Sequence, residues 1–497
     1  MASLGAFARL VGAGWTLVRN DALLPRELEA WYSPTVATAA RFLRLFASER
    51  SGRPGERLAR SLEGLGPVAV KLGQLLSTRG DIFGRTFAED LGRLKDRLPP
   101  FPTAEARAMV AQELGRPVEA LFASFGEPVA AASLAQAHRA ELLDGRPAAV
   151  KVLRPGIERR VAADAAVLEL AARLLERWAP PLRRLEPRKF SATVIRSTEL
   201  ELDLRMEAAG ADELAEVMAK DGYMSAPKVI WDGVGKRVLT MTWAEGLPLS
   251  DAAALEQPGL DRKALADNLT RAFLAQALDH GVFHADLHEG NLFAAAPDRL
   301  CAVDFGIMGR LGVVERRYLA EILWGFLQRD YQRVAQVHFD AGYVPAHHSV
   351  AAFAQALRAV GEPVFGRAAN AVAMSRVLTQ LFEITALFDM RLRPELVLLQ
   401  KTMMTVEGVA RRIDPEHDIW AASEPVVRRW IARELSPVSR VRQLAGEAEA
   451  AIRNLARLVD PPVEVKAEVD RDHPPVLWFA LGVGAALAAF WLGQLLA

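Results

Sequence analysis

Cysteine is nearly absent from the chain: Cys301 is the one cysteine among 497 residues. A single cysteine excludes an intramolecular disulfide framework and fits a protein that works in a reducing compartment. Excess charge of one sign is missing too, because 61 Lys and Arg residues balance 61 Asp and Glu residues. Without a positive field over the whole molecule, nucleic acid is not expected as a partner. Cys301 lies in a predicted strand, where we expect a buried and unreactive thiol.

The two ends of the chain differ in charge and in the length of their apolar runs. Met1 to Asn20 carries Arg9 and Arg19 but no long apolar core, so a cleavable signal peptide is not expected. This segment is amphipathic and fits a helix either on a membrane surface or packed on the protein. The 22 residues from Val476 to Ala497 carry no charge, which is enough for one membrane span of ~20 residues. A buried soluble helix is the alternative interpretation.

The most informative stretch is residues 284–291 (HADLHEGN), followed by Asp-Phe-Gly at 304–306. Asp286 has the chemistry to orient a nucleophile or accept a proton, while Asn291 and Asp304 offer the oxygen ligands that Mg²⁺ prefers. Catalytic loops of protein kinases use the same order of Asp, Asn and the Asp of Asp-Phe-Gly. An ordinary loop rich in Asp and His is the alternative, and two motifs in order argue against it. No Ala-Pro-Glu follows, so a platform for peptide substrates is not expected.

Upstream residues predict the phosphate side of such a site. A small-residue loop at 128–138 runs into a strand, and Asp144-Gly145 predicts a hairpin to a return strand that carries Lys151. Kinases place a phosphate-covering loop and a strand lysine in this way. The loop residues expected over the nucleotide are Ala130, Ala131, Ala132 and Ser133. Alanine resists positive φ, so this loop should be stiffer than a glycine-rich one. A simple charge at the sheet edge is the alternative for Lys151.

An acidic segment is expected to face a cation. If residues 199–207 (ELELDLRME) are helical, Glu199, Asp203 and Glu207 stack on one face, where like charges repel. Lys151, Lys71 or a metal ion are the candidates to face them. A hydrated acidic face is the alternative.

Lys71 belongs to a helix predicted from about residue 68 to residue 78, on one face with Gln74 and Thr78. A glycine inside a helix costs ~1 kcal/mol relative to alanine, and close approach of another backbone or a ligand would explain Gly73. Taken alone, Lys71 fits an ordinary solvated lysine.

The remaining sequence is mostly helical in pattern. Residues 1–110 read as helices, and residues 238–246 as a strand and turn suited to a hinge beside an adenine. A helix predicted at 268–280 leads to the catalytic loop. After Gly306 we expect helices to about residue 458.

These motifs together resemble the UbiB, or AarF-domain, atypical kinase-like family of ubiquinone biosynthesis. The resemblance covers roughly residues 15–497 and depends on four pieces: residues 71–74 (KLGQ), the alanine-rich loop, residues 201–203 (ELD) and the loop at 284–291. Residues 395–402 and 406–408 also resemble its helical C-terminal lobe. The fold implied is α+β: an atypical protein-kinase-like two-lobed fold with an N-terminal helical extension and a C-terminal transmembrane helix.

The resemblance implies four regions. They are a helical extension with a lid helix (1–110), a kinase-like N-lobe with a helical insertion (111–245), a helical C-lobe (246–470) and a transmembrane anchor (474–497). The body would lie in the bacterial cytoplasm and the terminus would cross the inner membrane once, in agreement with the positive-inside rule for Arg453, Arg457 and Arg471. Gly482 and Ala486 form a small-xxx-small pair that gives weak support to a homodimer.

The resemblance also assigns roles, with ATP and Mg²⁺ as cofactors. Lys151 would bind the α/β phosphates and pair with Glu207, and Asp286 would be the catalytic-loop aspartate. Asn291 and Asp304 would hold Mg²⁺. The family-specific lid would consist of Lys71, Gln74, Glu201 and Asp203.

The function expected is a membrane-anchored ATPase that supports ubiquinone biosynthesis, with slow hydrolysis coupled to handling of polyprenyl quinone precursors. Membrane lipid and other ubiquinone biosynthesis enzymes are the expected partners. Two alternatives stay open. A small-molecule or lipid kinase would use a similar catalytic loop, and a nonenzymatic scaffold would bind nucleotide without turnover.

Overall fold

The computed structural model describes residues 2–23, 51–77, 84–92, 99–178, 186–365 and 394–434, with short pieces at 38, 44–47, 94, 183, 384 and 387–390. Residues up to Arg433 form one compact unit. The anchor predicted at 474–497 lies outside the described residues, as do Thr78 and residues 435–458. Within the described part of the chain, no helix has the length and apolar character needed to cross a membrane.

Helices make up most of the described chain. In order they are α1 (Ala2–Arg19), α2 (Pro54–Leu65), α3 (Pro67–Ser77), α4 (Arg85–Leu91), α5 (Thr103–Leu114), α6 (Ile157–Trp178), α7 (Pro187–Glu201), α8 (Leu204–Asp221), α9 (Arg262–Ala275), α10 (Val313–Leu327), α11 (Tyr331–Asp340), α12 (Val350–Phe365), α13 (Pro394–Ile413) and α14 (Ile419–Glu434). The strands are β1 (Phe122–Ala131), β2 (Ala135–Leu142), β3 (Pro147–Leu153), β4 (Val238–Thr242), β5 (Leu247–Pro248), β6 (Val282–His284), β7 (Leu292–Ala295), β8 (Arg299–Ala302) and β9 (Met308–Arg310). The fold is kinase-like and mixes helix with sheet, as predicted.

A four-stranded antiparallel sheet in the order β1-β2-β3-β4 forms the N-lobe. The predicted hairpin between β2 and β3 is confirmed: Gly145 has a φ of 83°, and its N–H donates to the carbonyl of Leu142 at 2.9 Å. Helix α5 buries Ala106 and Val110 against one face of this sheet. Because α5 ends at Leu114, it crosses the boundary that the sequence suggested at residue 110.

One large apolar core extends from this sheet into the helical part of the chain, which holds two small sheets. Strands β5-β7-β8 form one and β6-β9 the other. Helix α9 starts at Arg262, six residues before the predicted start, because Asp261 caps it by accepting the N–H of Ala264 at 2.9 Å. A π-helical turn, Gln276–His280, then leads into β6. Strand β9 follows the Asp-Phe-Gly motif at once, so the expectation of uninterrupted helix after Gly306 was wrong.

Cys301 lies on β8 and is 8% exposed. Burial raises the pKa of its thiol, which keeps it protonated and unreactive. The predicted buried thiol is therefore confirmed.

Candidate active site

The catalytic loop is held at its start by His284, the last residue of β6. Its ring is buried, and Nδ1 lies 3.1 Å from the backbone nitrogen of Asp286 while Nε2 lies 3.1 Å from the carbonyl of Val303. The first nitrogen must accept and the second must donate, so the ring is neutral with its proton on Nε2. Burial lowers the pKa of His284 and favours this form. The ring thus ties the loop at Asp286 to the strand that leads to Asp304.

Asn291 closes the other end of the loop. Its amide nitrogen donates to the carbonyl of Asp286 at 3.1 Å, which points its amide oxygen the opposite way. The backbone of Val303 donates to the carbonyl of Asn291 at 2.9 Å, so the predicted metal ligand is anchored beside the approach to Asp304. The side chain of Asp286 is half-buried, with Oδ2 3.7 Å from the ring nitrogen of His288.

Lys151 joins the two lobes. Its ammonium group lies 2.7 and 2.9 Å from the two carboxylate oxygens of Glu207 and 3.2 Å from Oδ1 of Asp304. Asp304 is a non-glycine residue with a φ of 61°, a strained conformation of the kind that concentrates at functional sites. The lysine of β3, the glutamate of α8 and the aspartate of the Asp-Phe-Gly motif thus meet at one point.

Burial and charge set the protonation of this trio. Burial opposes the charged ammonium of Lys151, but Asp304 and Glu207 outweigh it and keep its pKa above the ordinary value. The charge of Lys151 lowers the pKa of Asp304 to about 2. Burial raises the pKa of Glu207 to about 7, with Lys151 opposing the rise. Asp304 is therefore ionised at neutral pH and ready to hold a cation.

A second ion pair lies against this trio. Lys71 of α3 donates to Glu201, the last residue of α7, and both side chains are largely buried. Burial raises the pKa of Glu201, and that carboxyl also feels the charges of Asp304 and Lys151. Gln74 follows one turn along α3 and is half-buried. The lid helix is thus attached beside the expected phosphate position.

The predicted stack of Glu199, Asp203 and Glu207 was wrong. Helix α7 ends at Glu201 and α8 begins at Leu204, so these residues do not share one helix face. Asp203 caps α8 by accepting the N–H of Arg205, and its carboxylate binds the Arg205 guanidinium at 2.6 Å. Asp203 therefore pairs locally with Arg205, while Glu201 of the same segment pairs with Lys71.

The nucleotide-covering loop is shorter than expected. Ala130 and Ala131 lie in β1, and the turn to β2 contains Ala132 and Ser133, with Ser133 buried. The N–H of Ala132 donates to the carbonyl of Ala135 at 2.8 Å, which makes the turn tight. Small residues suit this tight hairpin, and most of the loop predicted at 128–138 belongs instead to the strands β1 and β2.

Three side chains that support the site were missed from the sequence. The guanidinium of Arg154 donates to the carbonyl of Ala132 at 2.8 Å and holds the tight turn. The hydroxyl of Thr402 on α13 donates to the carbonyl of Ala285 at 3.1 Å, and Arg412 of the same helix pairs with Glu289. Nothing in the residue types of Arg154 or Thr402 sets them apart in the sequence, since only the fold brings them to these carbonyls.

The donor set fits a magnesium ion. A carboxylate from Asp304 and an amide oxygen from Asn291 are hard ligands of the type Mg²⁺ takes together with phosphate oxygens. The surrounding side chains carry three carboxyl groups (Glu201, Glu207, Asp304) and two ammonium groups (Lys71, Lys151), so one negative charge is in excess once all three carboxyls are ionised. Mg²⁺ bound there would neutralise phosphate oxygens during transfer.

Gly73 is explained by leucines rather than by a ligand or another backbone. A Cβ there would clash with Leu94 Cδ1 and lie 2.8 Å from Leu62 Cδ1, both in the core of the N-terminal helices. We expect Gly73→Ala to destabilise the protein by ~1–3 kcal/mol through overpacking, despite the better helix propensity of alanine. The free energy of unfolding from urea titration measures this.

Gly64 in α2 is the matched control. A Cβ there meets nothing within 4 Å. Gly64→Ala should therefore stabilise the protein by up to ~1 kcal/mol from helix propensity. Equal effects of the two substitutions would contradict the packing explanation.

The raised pKa of Glu207 predicts a pH dependence. Above its pKa of about 7, the ionised carboxylate accepts two hydrogen bonds from Lys151. Below that pKa, Glu207 takes up a proton and its interaction with Lys151 weakens. We expect kcat/KM for ATP to fall about tenfold per pH unit below ~7. Glu207→Gln should lack this fall in kcat/KM at low pH. Dividing the wild-type kcat/KM by that of the variant at each pH cancels the titration of ATP itself. A constant ratio between pH 5.5 and 8.5 would contradict the assignment.

Comparison with known proteins identifies related sequences. The family model "ABC1 atypical kinase-like domain" matches residues 93–338, and "UbiB helical domain" matches residues 357–418. A "Probable protein kinase UbiB" from Marinobacter nauticus is 40% identical over 405 residues, covering 80% of this chain and 74% of that protein. The protein of the same name from Pseudomonas paraeruginosa is 36% identical over 499 residues, covering 99% of this chain and 92% of that protein.

A solved structure shares the fold. The Rv3197–erythromycin complex from Mycobacterium tuberculosis matches with a TM-score of 0.51 and 24% identity, covering 79% of this chain and 98% of that one. The two UbiB proteins named above are 36–40% identical to this chain over most of their length and most of its own. The site also gathers the lysine, glutamate, asparagine and aspartates that a kinase needs. The chain therefore belongs to the UbiB family of atypical kinases.

Proposed function

We propose that the protein is an ATPase of ubiquinone biosynthesis that binds MgATP and couples slow hydrolysis to handling of polyprenyl quinone precursors. The observation that carries this is the ion pair between Lys71 and Glu201. It holds α3 beside the cluster of Lys151, Glu207 and Asp304, where we infer that an acceptor would approach the γ-phosphate. A covering helix there disfavours a protein substrate and leaves room for water or a small group.

The short segment after Asp-Phe-Gly supports the same proposal. Strand β9 (Met308–Arg310) pairs with β6, and α10 starts at Val313. Protein kinases need a longer activation segment there to seat a peptide. Phosphorylation of a protein side chain is therefore the less favoured activity.

The proposal gives each charged group a task. Lys151, positioned by Glu207, binds the phosphates, and Asp286 orients the attacking water or hydroxyl. Asn291 and Asp304 are proposed to hold the magnesium ion. These groups act by positioning and by charge, which account for most of the catalysis of phosphoryl transfer.

The proposed location is the bacterial inner membrane, with the body in the cytoplasm and residues 474–497 as a single anchor. Membrane lipid, other enzymes of the pathway and a second copy of the chain are the proposed partners. A C-terminal tag that stays protected from protease in intact spheroplasts, and is cut only after lysis, would contradict this orientation.

Phosphate release by the purified full-length protein tests the function. We expect MgATP turnover well below the ~10 s⁻¹ typical of enzymes, raised by vesicles and by phenolic mimics of quinone precursors. Label transferred from [γ-³²P]ATP to an extracted lipid would show a lipid kinase instead. Nucleotide binding without turnover under every condition would show a scaffold.

A further inference from the structure

A second group of metal-ligating side chains lies among residues that the kinase-like site does not use. His347 and His348 occupy the segment between α11 and α12, and Asp389 lies in the turn at residues 387–390. One donor atom from each, two imidazole nitrogens and one carboxylate oxygen, lie within 4.8 Å of one another. Three donors from two separate chain segments therefore converge on one point.

The spacing of the donors matches a tetrahedral cation. Nε2 of His348 lies 3.2 Å from Oδ2 of Asp389, and Nε2 of His347 lies 3.7 Å from the same oxygen. Bonds of about 2.0–2.1 Å in a tetrahedral zinc site place neighbouring ligand atoms about 3.4 Å apart. The two distances to the carboxylate bracket that value, and all three donors lie within 4.8 Å of one another, so modest side-chain movements would bring them into a tetrahedral arrangement.

Both rings direct Nε2 at one carboxylate oxygen, and their centroids are 4.1 Å apart. Imidazole nitrogens are common metal ligands, so two of them aimed at one carboxylate oxygen form a convergent donor set that a single cation can share.

The surrounding structure holds the ligands in place. The ring of His348 packs against Phe388, with centroids 5.2 Å apart, and Phe388 packs against Phe353 of α12 at 4.9 Å. Asp389 has a φ of 49°, a conformation that Asp and Asn tolerate better than other side chains. One imidazole and the carboxylate are therefore oriented by the fold.

We propose that His347, His348 and Asp389 bind a divalent transition cation of the zinc type, with water as the fourth ligand. Two imidazoles and one carboxylate favour such a cation over Mg²⁺ and Ca²⁺, which take mainly oxygen ligands. The cation joins the loop before α12 to the turn at Asp389 above the apolar cluster that contains Phe353 and Phe388. Its role is to stabilise this helical part of the protein, not to take part in phosphoryl transfer.

Zinc titration of untagged, chelator-stripped, full-length protein tests the proposal. Millimolar Mg²⁺ is kept present so that oxygen-rich sites such as Asp304 are occupied. Calorimetry should show one zinc per chain with micromolar or tighter affinity, and the melting temperature should rise with zinc. Cobalt in place of zinc should give the strong visible absorption of a tetrahedral site.

The diagnostic variants are Asp389→Asn and His347→Gln. Asparagine tolerates the same backbone conformation but lacks the charge, so Asp389→Asn should fold and lose at least tenfold in zinc affinity. His280→Gln is the control. His280 also faces an aspartate, since its Nε2 lies 3.0 Å from Oδ1 of Asp221. Among the described residues, however, His280 does not belong to a group of three metal-ligating side chains. The proposal is overturned if wild-type protein shows no zinc binding below ~100 µM, or if Asp389→Asn binds zinc as wild type does.

Discussion

Asp304→Asn is expected to reduce magnesium-dependent ATP turnover by ~10³-fold or more. The substitution keeps the shape of the side chain but removes the charge that would neutralise the cation. It also removes one of the two carboxylates that hold Lys151. Since asparagine tolerates the left-handed backbone found at this position, with its φ of 61°, the fold should survive. Steady-state phosphate release at saturating MgATP measures the loss.

Asp144→Asn is the matched control for this experiment. Asp144 lies in the exposed hairpin between β2 and β3, where it pairs with Arg146 at 2.7 Å. The same chemical change there should leave turnover within twofold of wild type, because exposed pairs contribute little. If Asp304→Asn retained half of the wild-type rate, the assignment of the magnesium site to Asp304 would be untenable.

Lys151→Met should weaken binding of MgATP by ~10²-fold or more, the scale seen when one partner of a desolvated charge pair is removed. Methionine fills a similar volume but leaves the phosphates without their counter-charge. It also leaves Glu207, which is 9% exposed in its side chain, beside Asp304 with no cation from Lys151. Binding of a fluorescent ATP analogue measures the affinity. Lys189→Met, at an exposed lysine of α7, is the control and should bind as wild type does.

The same variant makes a prediction about stability and pH. Without Lys151, the pKa of Glu207 rises above its present value of about 7, while in the unfolded chain it returns to the ordinary 4.5. The folded state then holds a proton that the unfolded state releases, so stability falls as pH rises from ~4.5 and levels off above the folded-state pKa. The destabilisation relative to wild type should therefore be smallest near pH 5. If Lys151→Met lost more free energy of unfolding relative to wild type at pH 5 than at pH 8, the burial of an unpaired Glu207 would be contradicted.

The parts of the site that the sequence predicts are those in which chemistry restricts the residue type. A hard cation needs oxygen ligands, and a phosphate needs a fixed positive charge. The order of Asp286, Asn291 and Asp304, with Lys151 upstream on a strand, therefore pointed to residues that the fold gathers. The pairing of Lys151 with Glu207 followed from the family resemblance, and the structure places them 2.7 Å apart.

What the sequence did not predict depends on competition between local signals. Charge periodicity at residues 199–207 favoured one helix, whereas Asp203 ends that regularity by capping α8. An aspartate just before an apolar run is a cap signal, and the acidic pattern concealed it. Arg154 and Thr402 act on backbone carbonyls, which every residue possesses, so no side-chain pattern identifies their partners. Such contacts become visible only with the tertiary structure.

The contact of α13 and α14 with the catalytic region has a consequence for cooperativity of folding. Val406 and Val409 share a core cluster with Phe283 and Leu287, and the indole nitrogen of Trp430 donates to the carbonyl of Leu278 at 2.9 Å. The boundary at residue 338, where the kinase-like family model ends, therefore divides the sequence but not the folding unit. The C-terminal helices α13 and α14 pack into the core of the catalytic lobe. Loss-of-function substitutions in them would act by loosening the loop that carries Asp286, far away along the chain.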